Sequence, residues 1–136
     1  MSEKLSIGFS PCPNDTFIFD ALVHHKIDTE GLEFDVYLGD VEDLNTKAFN
    51  KELDITKISY HAFGYLTNEY VLLDSGSALG KGCGPLLIKQ SDNKELDLQN
   101  STIAIPGKYT TANFLLSIAH PQAKKKTEVL FSDIEN

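Results

Sequence analysis

The sequence predicts an α/β fold built on a mostly parallel sheet, because strand-like and helix-like hydrophobic patterns alternate along the chain. Its 136 residues are the size of one domain, and its 41% apolar and 24% charged residues are typical of a folded globular protein. No apolar run is long enough to span a membrane, and the first residues lack the basic and apolar regions of a signal peptide. We therefore expect a cytoplasmic protein with no membrane partner.

The first part of the chain predicts a strand, a helix, a strand and a second helix. Residues 5–9 and 33–38 alternate apolar and polar side chains, which is the period of a strand. Asn14 or Asp15 can cap the first helix, and Asp40 can cap the second. Apolar residues recur at helical spacing in both: Phe17, Ile18, Ala21 and Leu22 in the first, and Val41, Leu44, Ala48, Phe49 and Leu53 in the second.

The middle of the chain predicts three more strands and one short helix. A strand at 54–58 precedes Ser59, which can cap a helix over 60–66. Apolar runs at 70–73 and 85–89 predict two strands, one on each side of a glycine-rich run. These elements would extend the first sheet.

A polar segment divides the chain into two predicted lobes. We assign 1–90 to a first α/β lobe, 91–100 to a hinge or crossing segment, and 101–136 to the beginning of a second lobe. The spacing of Ser132 and Glu135 matches the capping box that opens a helix. Because the sequence stops one residue later, we expect a truncated chain with an incomplete second lobe.

The second lobe begins as another strand, helix and strand. The strands are predicted at 102–105 and 128–131, and the helix between them begins at Thr110 or Thr111. This order again predicts parallel strands joined by a helix.

The charge of the chain argues against nucleic acid as a partner. Its 20 acidic residues outweigh 12 basic ones and give a net charge of -8, so a phosphate backbone would be repelled. All the basic residues are lysines, and the sequence has no arginine to bind a carboxylate with two parallel hydrogen bonds. Any anion must be held by lysine, hydroxyl or backbone N–H groups.

Polar segments lie next to the predicted strands, where an open α/β sheet binds its ligands. Several of them begin a helix, whose free N–H groups favour an anion, and one is the glycine-rich run. Asn14, Ser59 and Thr111 could alternatively be helix caps only. The predicted substrate-binding residues are Asn14, Lys57, Ser59, Tyr60, Lys81, Gly82, Thr110 and Thr111.

His61 is the only plausible acid or base of its type in a predicted site segment. Its aromatic neighbours Tyr60, Phe63 and Tyr65 also fit a histidine packed in the core. The histidines, cysteines and acidic residues lack the spacing of a metal site, and the glycine run at 76–84 lacks the pattern of a nucleotide-binding loop. We predict no metal, and binding of a nucleotide triphosphate is disfavoured.

Four motifs of the chain, taken together, carry a family resemblance. They are Ser10-Pro-Cys-Pro-Asn-Asp-Thr-Phe17, Lys57-Ile-Ser-Tyr60, Gly80-Lys-Gly-Cys-Gly-Pro85 and Pro106-Gly-Lys-Tyr-Thr-Thr111. In this order they resemble the motifs of the dihydroxynaphthoate synthases, which belong to the futalosine route to menaquinone.

The resemblance implies a two-lobed fold like that of type II periplasmic binding proteins, with the ligand between the lobes. It also implies a cofactor-free lyase that converts cyclic de-hypoxanthinylated futalosine to 1,4-dihydroxy-6-naphthoate, with a general base starting the C–C cleavage. The histidine proposed as that base in the family would lie beyond Asn136, so His61 is the candidate within this sequence. We expect the 136-residue chain alone to be inactive.

Two other functions stay open at this point. One is a non-catalytic carboxylate-binding module of the same fold, and the other is a chorismate dehydratase, a sibling on a similar scaffold. The first motif favours the synthase over the dehydratase, and the absence of a signal peptide disfavours the binding module. In each case the expected partner is a small-molecule carboxylate. An incomplete lobe would expose apolar faces, so we also expect a homodimer or a swapped oligomer.

Overall fold

The computed structural model describes residues 4–91 and 95–134 and has an α/β fold with two small parallel sheets. The first sheet has three strands in the order β2-β1-β3, and the second pairs β4 with β5. The strands are β1 (Lys4–Phe9), β2 (Glu33–Leu38), β3 (Ile55–Thr56), β4 (Ile103–Ile105) and β5 (Lys126–Glu128). The helices are α1 (Pro13–Val23), α2 (Val41–Phe49), α3 (Tyr60–Leu66) and α4 (Thr111–Ala119).

The central strand β1 organises the first sheet. It pairs along its whole length with β2, from Lys4 opposite Glu33 to Phe9 opposite Leu38, and over two residues with β3. Its residues Ile7 and Phe9 are buried, because the strand has a neighbour on each side and helices cover the sheet. The strands predicted at 5–9 and 33–38 are confirmed, whereas the third is shorter than the predicted 54–58.

The predicted N-cap is confirmed for α2 and wrong for α1. The carboxylate of Asp40 accepts a hydrogen bond from the Val41 N–H, which confirms it as the cap of α2. Helix α1, however, begins at Pro13, with Cys12 at the N-cap position and no side-chain capping hydrogen bond, so the predicted cap at Asn14 or Asp15 is wrong. Pro13 explains the earlier start, because its fixed φ and missing N–H favour the first helical position.

The apolar stripes are buried unevenly. Leu44 and Ala48 of α2 are buried, as the predicted stripe requires. The side chain of Phe17, in contrast, is 86% exposed, so the stripe predicted for α1 is wrong at that position.

The strands predicted at 70–73 and 85–89 are wrong, since the structure forms no strand over these residues. A strand needs a neighbour to accept and donate its backbone hydrogen bonds, and within the described part of the chain neither run has one. The side chains of Val71 and Leu86 accordingly remain 82% and 84% exposed. Their apolar composition was therefore insufficient to specify a strand.

The second sheet follows the predicted order with a shift in its last strand. Strand β5 pairs with β4 from Lys126 to Glu128, so the predicted strand at 128–131 is wrong in position. The chain turns at Phe131–Asp133, a short 3₁₀ helix, and its Phe131 N–H donates to Asp40 Oδ2 at 3.3 Å. Glu135 of the predicted capping box and residues 92–94 of the predicted hinge lie outside the described residues.

Helices α3 and α4 lie against each other and bring the two sheets together. The His61 and Phe114 rings stack with centroids 4.7 Å apart, and Phe49 contacts Tyr109 at 4.5 Å. Among the described helices, none has the length and apolar character needed to cross a membrane.

Candidate functional site

The candidate site lies where β1 and β3 end side by side. Because these strands are parallel and adjacent, the segments that follow them meet at one edge of the sheet. The Lys57 N–H continues the pairing by donating to the Gly8 carbonyl at 2.8 Å. Such a point, where β1 has β2 on one side and β3 on the other, is where open α/β sheets bind ligands.

A cavity of about 610 Å³ extends along β3, from Lys51 and Leu53 before the strand to Tyr60 after it. That volume is within the usual range for small-molecule sites, roughly 300–1,000 Å³. Four of the predicted binding residues line it: Lys57, Ser59, Tyr60 and Thr111. The remaining wall is largely apolar and includes Phe19, Leu53, Ile58, Phe63, Tyr70 and Leu72.

Lys57 is held at the cavity wall by Asp15. The Lys57 ammonium donates to Asp15 Oδ1 at 2.5 Å, and Ser10 donates to Asp15 Oδ2 through its hydroxyl at 2.7 Å and its N–H at 3.2 Å. Burial of Asp15 would by itself raise its pKa, but the hydrogen bonds from Lys57 and Ser10 outweigh burial and lower the pKa. Asp15 is therefore ionised and balances the charge of Lys57.

Ser59 is tied to helix α2 through Asn45. The buried Asn45 amide accepts from the Ser59 N–H at 3.0 Å and donates toward the Ser59 hydroxyl at 3.4 Å. The same amide donates to Glu42 Oε2 at 2.9 Å. Ser59 precedes α3 as predicted, although its side chain makes no capping hydrogen bond.

The neighbouring residues Thr110 and Thr111 have different environments. The buried Thr110 hydroxyl donates to the Gly107 carbonyl at 2.8 Å and accepts from the Asn113 N–H at 3.3 Å, so it caps α4. The Thr111 hydroxyl accepts from the His61 N–H at 3.5 Å and lies on the cavity. Only the second hydroxyl of the pair is placed to meet a ligand.

The other predicted binding residues do not line this cavity. Asn14 is exposed in the first turn of α1, and Lys81 and Gly82 lie in the exposed glycine-rich segment. Gly82 has a φ of 72°, a conformation that glycine adopts without strain. A binding role for these three residues stays a prediction.

His61 packs among aromatic rings. Its ring stacks on Phe114, and its Nε2 lies 3.4 Å from the Tyr65 hydroxyl. Its Nδ1 is buried and has no hydrogen-bond partner among the described residues. His61 does not line the cavity, and its role as a base stays a prediction. Across 4–91 and 95–134, no three His, Cys, Asp or Glu side chains gather as metal ligands would.

Three residues of the site were not predicted as such from the sequence. The sequence indicates Asp15 as a possible cap and as part of the first motif but not as a binding residue, and it gives no role to Glu42 or Asn45. A signal for Asn45 was available, because it lies four residues after Val41 and four before Phe49, within the apolar stripe of α2. A polar residue on such a stripe must find hydrogen-bond partners in the core.

The fold is that of an α/β protein with small parallel sheets, and its cavity of about 610 Å³ lies along the edge strand β3 and reaches the segment that follows it. The chain belongs to the menaquinone biosynthesis family, whose model matches residues 5–136.

Two relatives and one solved structure are similar to the chain over most of its length. The 1,4-dihydroxy-6-naphthoate synthase of Thermus thermophilus is 47% identical over 116 residues, which are 85% of this chain and 42% of that protein. The Streptomyces coelicolor protein of the same name is 39% identical over 117 residues, 86% of this chain and 40% of its own length. A crystal structure of an Archaeoglobus fulgidus protein has a TM-score of 0.87 and 40% identity, covering 96% of this chain and 48% of that one. The chain thus spans less than half the length of the proteins it matches.

Proposed function

We propose that this chain supplies part of the substrate site of a 1,4-dihydroxy-6-naphthoate synthase in menaquinone biosynthesis. The reaction would be a carbon–carbon lyase step, without a cofactor, on cyclic de-hypoxanthinylated futalosine. The observation that carries the proposal is the convergence of Lys57, Ser59, Tyr60 and Thr111 on one largely apolar cavity. The names of the two relatives support the choice of product.

The cavity has the chemistry that an aromatic carboxylate requires. Its apolar wall, which includes Phe19 and Phe63, can bury a bicyclic ring, and the hydroxyls of Ser59 and Thr111 can donate to a carboxylate. Lys57 adds a cation whose charge Asp15 already balances, so only its remaining N–H donors are free for a ligand. The carboxylate would therefore be held mainly by neutral donors.

The proposal includes the two-lobed arrangement expected from the family resemblance, with residues 1–90 in the first lobe and 101–136 in the second. The contacts of α3 with α4 would then lie where the lobes meet, next to the cavity. The cytoplasmic location and the homodimer or swapped oligomer stay predictions, as does the inactivity of the isolated chain.

Calorimetric titration with 1,4-dihydroxy-6-naphthoate tests the proposal. We expect binding that is lost with 1,4-dihydroxynaphthalene, which has the same rings and hydroxyls but no carboxylate. Thr111→Val should weaken binding roughly 3- to 10-fold, the effect of losing one neutral hydrogen bond. Thr127→Val is the matched control, because Thr127 is exposed on β5 and outside the cavity.

The outcomes separate the three candidate functions. Equal binding of the two naphthalenes, or no effect of Thr111→Val, would contradict the proposed site. Preferential binding of chorismate would instead favour the dehydratase. A protein of the relatives' full length that binds the naphthoate but does not turn over the futalosine derivative would be a binding module.

A further inference from the structure

Glu42 lies in the first turn of α2 and does not line the cavity, yet it contacts both sides of the site. Its carboxylate accepts hydrogen bonds from Tyr109 on one side and from Asn45 on the other. These contacts join residues that are far apart in sequence, since Glu42 and Tyr109 are separated by 67 positions.

The first contact fixes the turn that precedes α4. The Tyr109 N–H donates to both carboxylate oxygens of Glu42, at 2.9 Å to Oε1 and 3.2 Å to Oε2. Gly107 makes room for this carboxylate, because a Cβ at that position would collide with it. Two residues after Tyr109 the chain reaches Thr111, so Glu42 sets the position of this cavity residue through the turn.

The second contact fixes the orientation of Asn45. Because the Asn45 Nδ2 donates to Glu42, its Oδ1 is directed to the Ser59 N–H. A carboxylate accepts such hydrogen bonds more strongly than a neutral group does. Glu42 therefore determines which end of the Asn45 amide meets Ser59.

We propose that Glu42 is a positioning residue that holds Ser59 and Thr111 at their mutual separation on the cavity. The direct link between the two segments, from the His61 N–H to the Thr111 hydroxyl, is long at 3.5 Å. The bonds from Glu42 to Tyr109 and Asn45, and from Asn45 to the Ser59 N–H, are shorter, at 2.9–3.0 Å for the closest of each. The role in ligand binding rests on the proposed function.

Glu42→Gln is the sharpest perturbation because it keeps the shape of the side chain. In either orientation its NH₂ group replaces an oxygen that accepts from Tyr109, so two donors face each other. We expect this variant to weaken binding of 1,4-dihydroxy-6-naphthoate roughly tenfold, about the effect of one charged hydrogen bond. Thr111→Val should weaken naphthoate binding by a smaller factor in the Glu42→Gln background than in the wild type. The control is Glu52→Gln, at an exposed glutamate outside the cavity, which should bind as the wild type does.

Amide hydrogen exchange provides a readout that needs no ligand. In Glu42→Gln, the protection of the Ser59 N–H should fall roughly tenfold, although Glu42 does not contact Ser59, because an unrestrained Asn45 opens more often. A merely local role for Glu42 would change Tyr109 alone. Gly107→Ala, which crowds the same carboxylate from the other side, should reproduce the loss at Ser59 if Glu42→Gln is poorly folded.

Unchanged exchange at Ser59 in both variants would overturn the proposal. So would wild-type affinity for the naphthoate in Glu42→Gln. If the wild-type chain itself binds no naphthoate, the proposed function fails, and the exchange at Ser59 still decides whether Glu42 positions these segments.

Discussion

Replacing Asp15 with alanine should destabilise the protein by about 2–3 kcal/mol. The Asp15 side chain, 9% exposed, accepts hydrogen bonds from Lys57 and from two donors of Ser10. Breaking a buried ion pair typically costs roughly 3–5 kcal/mol, because a charge is left without a partner. The side chain of Lys57 is 21% exposed, so water can partly solvate its ammonium after the substitution. The expected loss of about 2–3 kcal/mol therefore lies at or below the lower end of that range.

The assay is urea unfolding followed by far-UV circular dichroism or tyrosine fluorescence, since the sequence has no tryptophan. Asp20→Ala is a matched control. Asp20 accepts from Lys26 at 2.6 Å, a distance close to that of the Asp15 pair, but the two side chains are 45% and 58% exposed. Exposed pairs contribute little, so Asp20→Ala should not change the free energy of unfolding measurably.

The comparison of these two variants decides whether the buried ion pair contributes more to the free energy of unfolding than the exposed one does. If Asp15→Ala destabilises the protein no more than Asp20→Ala does, the Asp15 carboxylate does not stabilise the edge between β1 and β3. If Asp15→Ala changes the slope of the unfolding free energy against urea concentration, the substitution has altered the unfolded or the native state. A shift of the midpoint then no longer measures the contribution of the ion pair.

Three further predictions concern pH, a glycine and a helix cap. Because the pKa of Asp15 is lowered on folding, its stabilisation is present above the unfolded value of 3.8 and is lost as pH falls through the folded value. Urea midpoints measured between about pH 6 and about pH 3 should therefore fall less in Asp15→Asn than in the wild type. Gly107→Ala should destabilise the protein by about 1–3 kcal/mol, since Gly107 has a φ of 153° and a Cβ at this position would collide with Glu42. The melting temperature from thermal unfolding measures this loss. Thr110→Val should cost about 1–2 kcal/mol in the same assay by removing the cap of α4, and an unchanged melting temperature would contradict the capping role.

The elements that the sequence predicted correctly depend on local chemistry. The alternation in β1 and β2 and the cap at Asp40 involve residues close in the chain, so their patterns are visible without knowledge of the fold. The cap of α1 was predicted too late in the chain, because Pro13 is itself the first helical residue and Asn14 and Asp15 lie inside the helix. The Asp15 carboxylate is instead bound by Lys57, which is 42 residues away, and no local pattern indicates this contact.

The strand predictions failed where pairing was required from distant residues. Apolar runs at 70–73 and 85–89 have the composition of strands, but composition does not supply a neighbouring strand. Strand β5 shows the same limit on a smaller scale, because the register with β4 selects Lys126–Glu128 over the more apolar residues that follow. In both cases the decisive contacts are non-local.

Thr110 and Thr111 show how much of the site the local sequence predicts. The sequence indicates that one of two adjacent hydroxyls opens α4, but not which one, because either residue can serve as a cap. In the structure Thr110 has the extended backbone of a cap, with φ of −73° and ψ of 149°, and its hydroxyl is used within the turn. Thr111 is then the first helical residue, and the rotation of about 100° per residue directs its side chain away from the capped turn. The Thr110 hydroxyl stabilises the helix as its cap, and the Thr111 hydroxyl lies on the cavity, where it accepts from the His61 N–H and can still donate to a ligand.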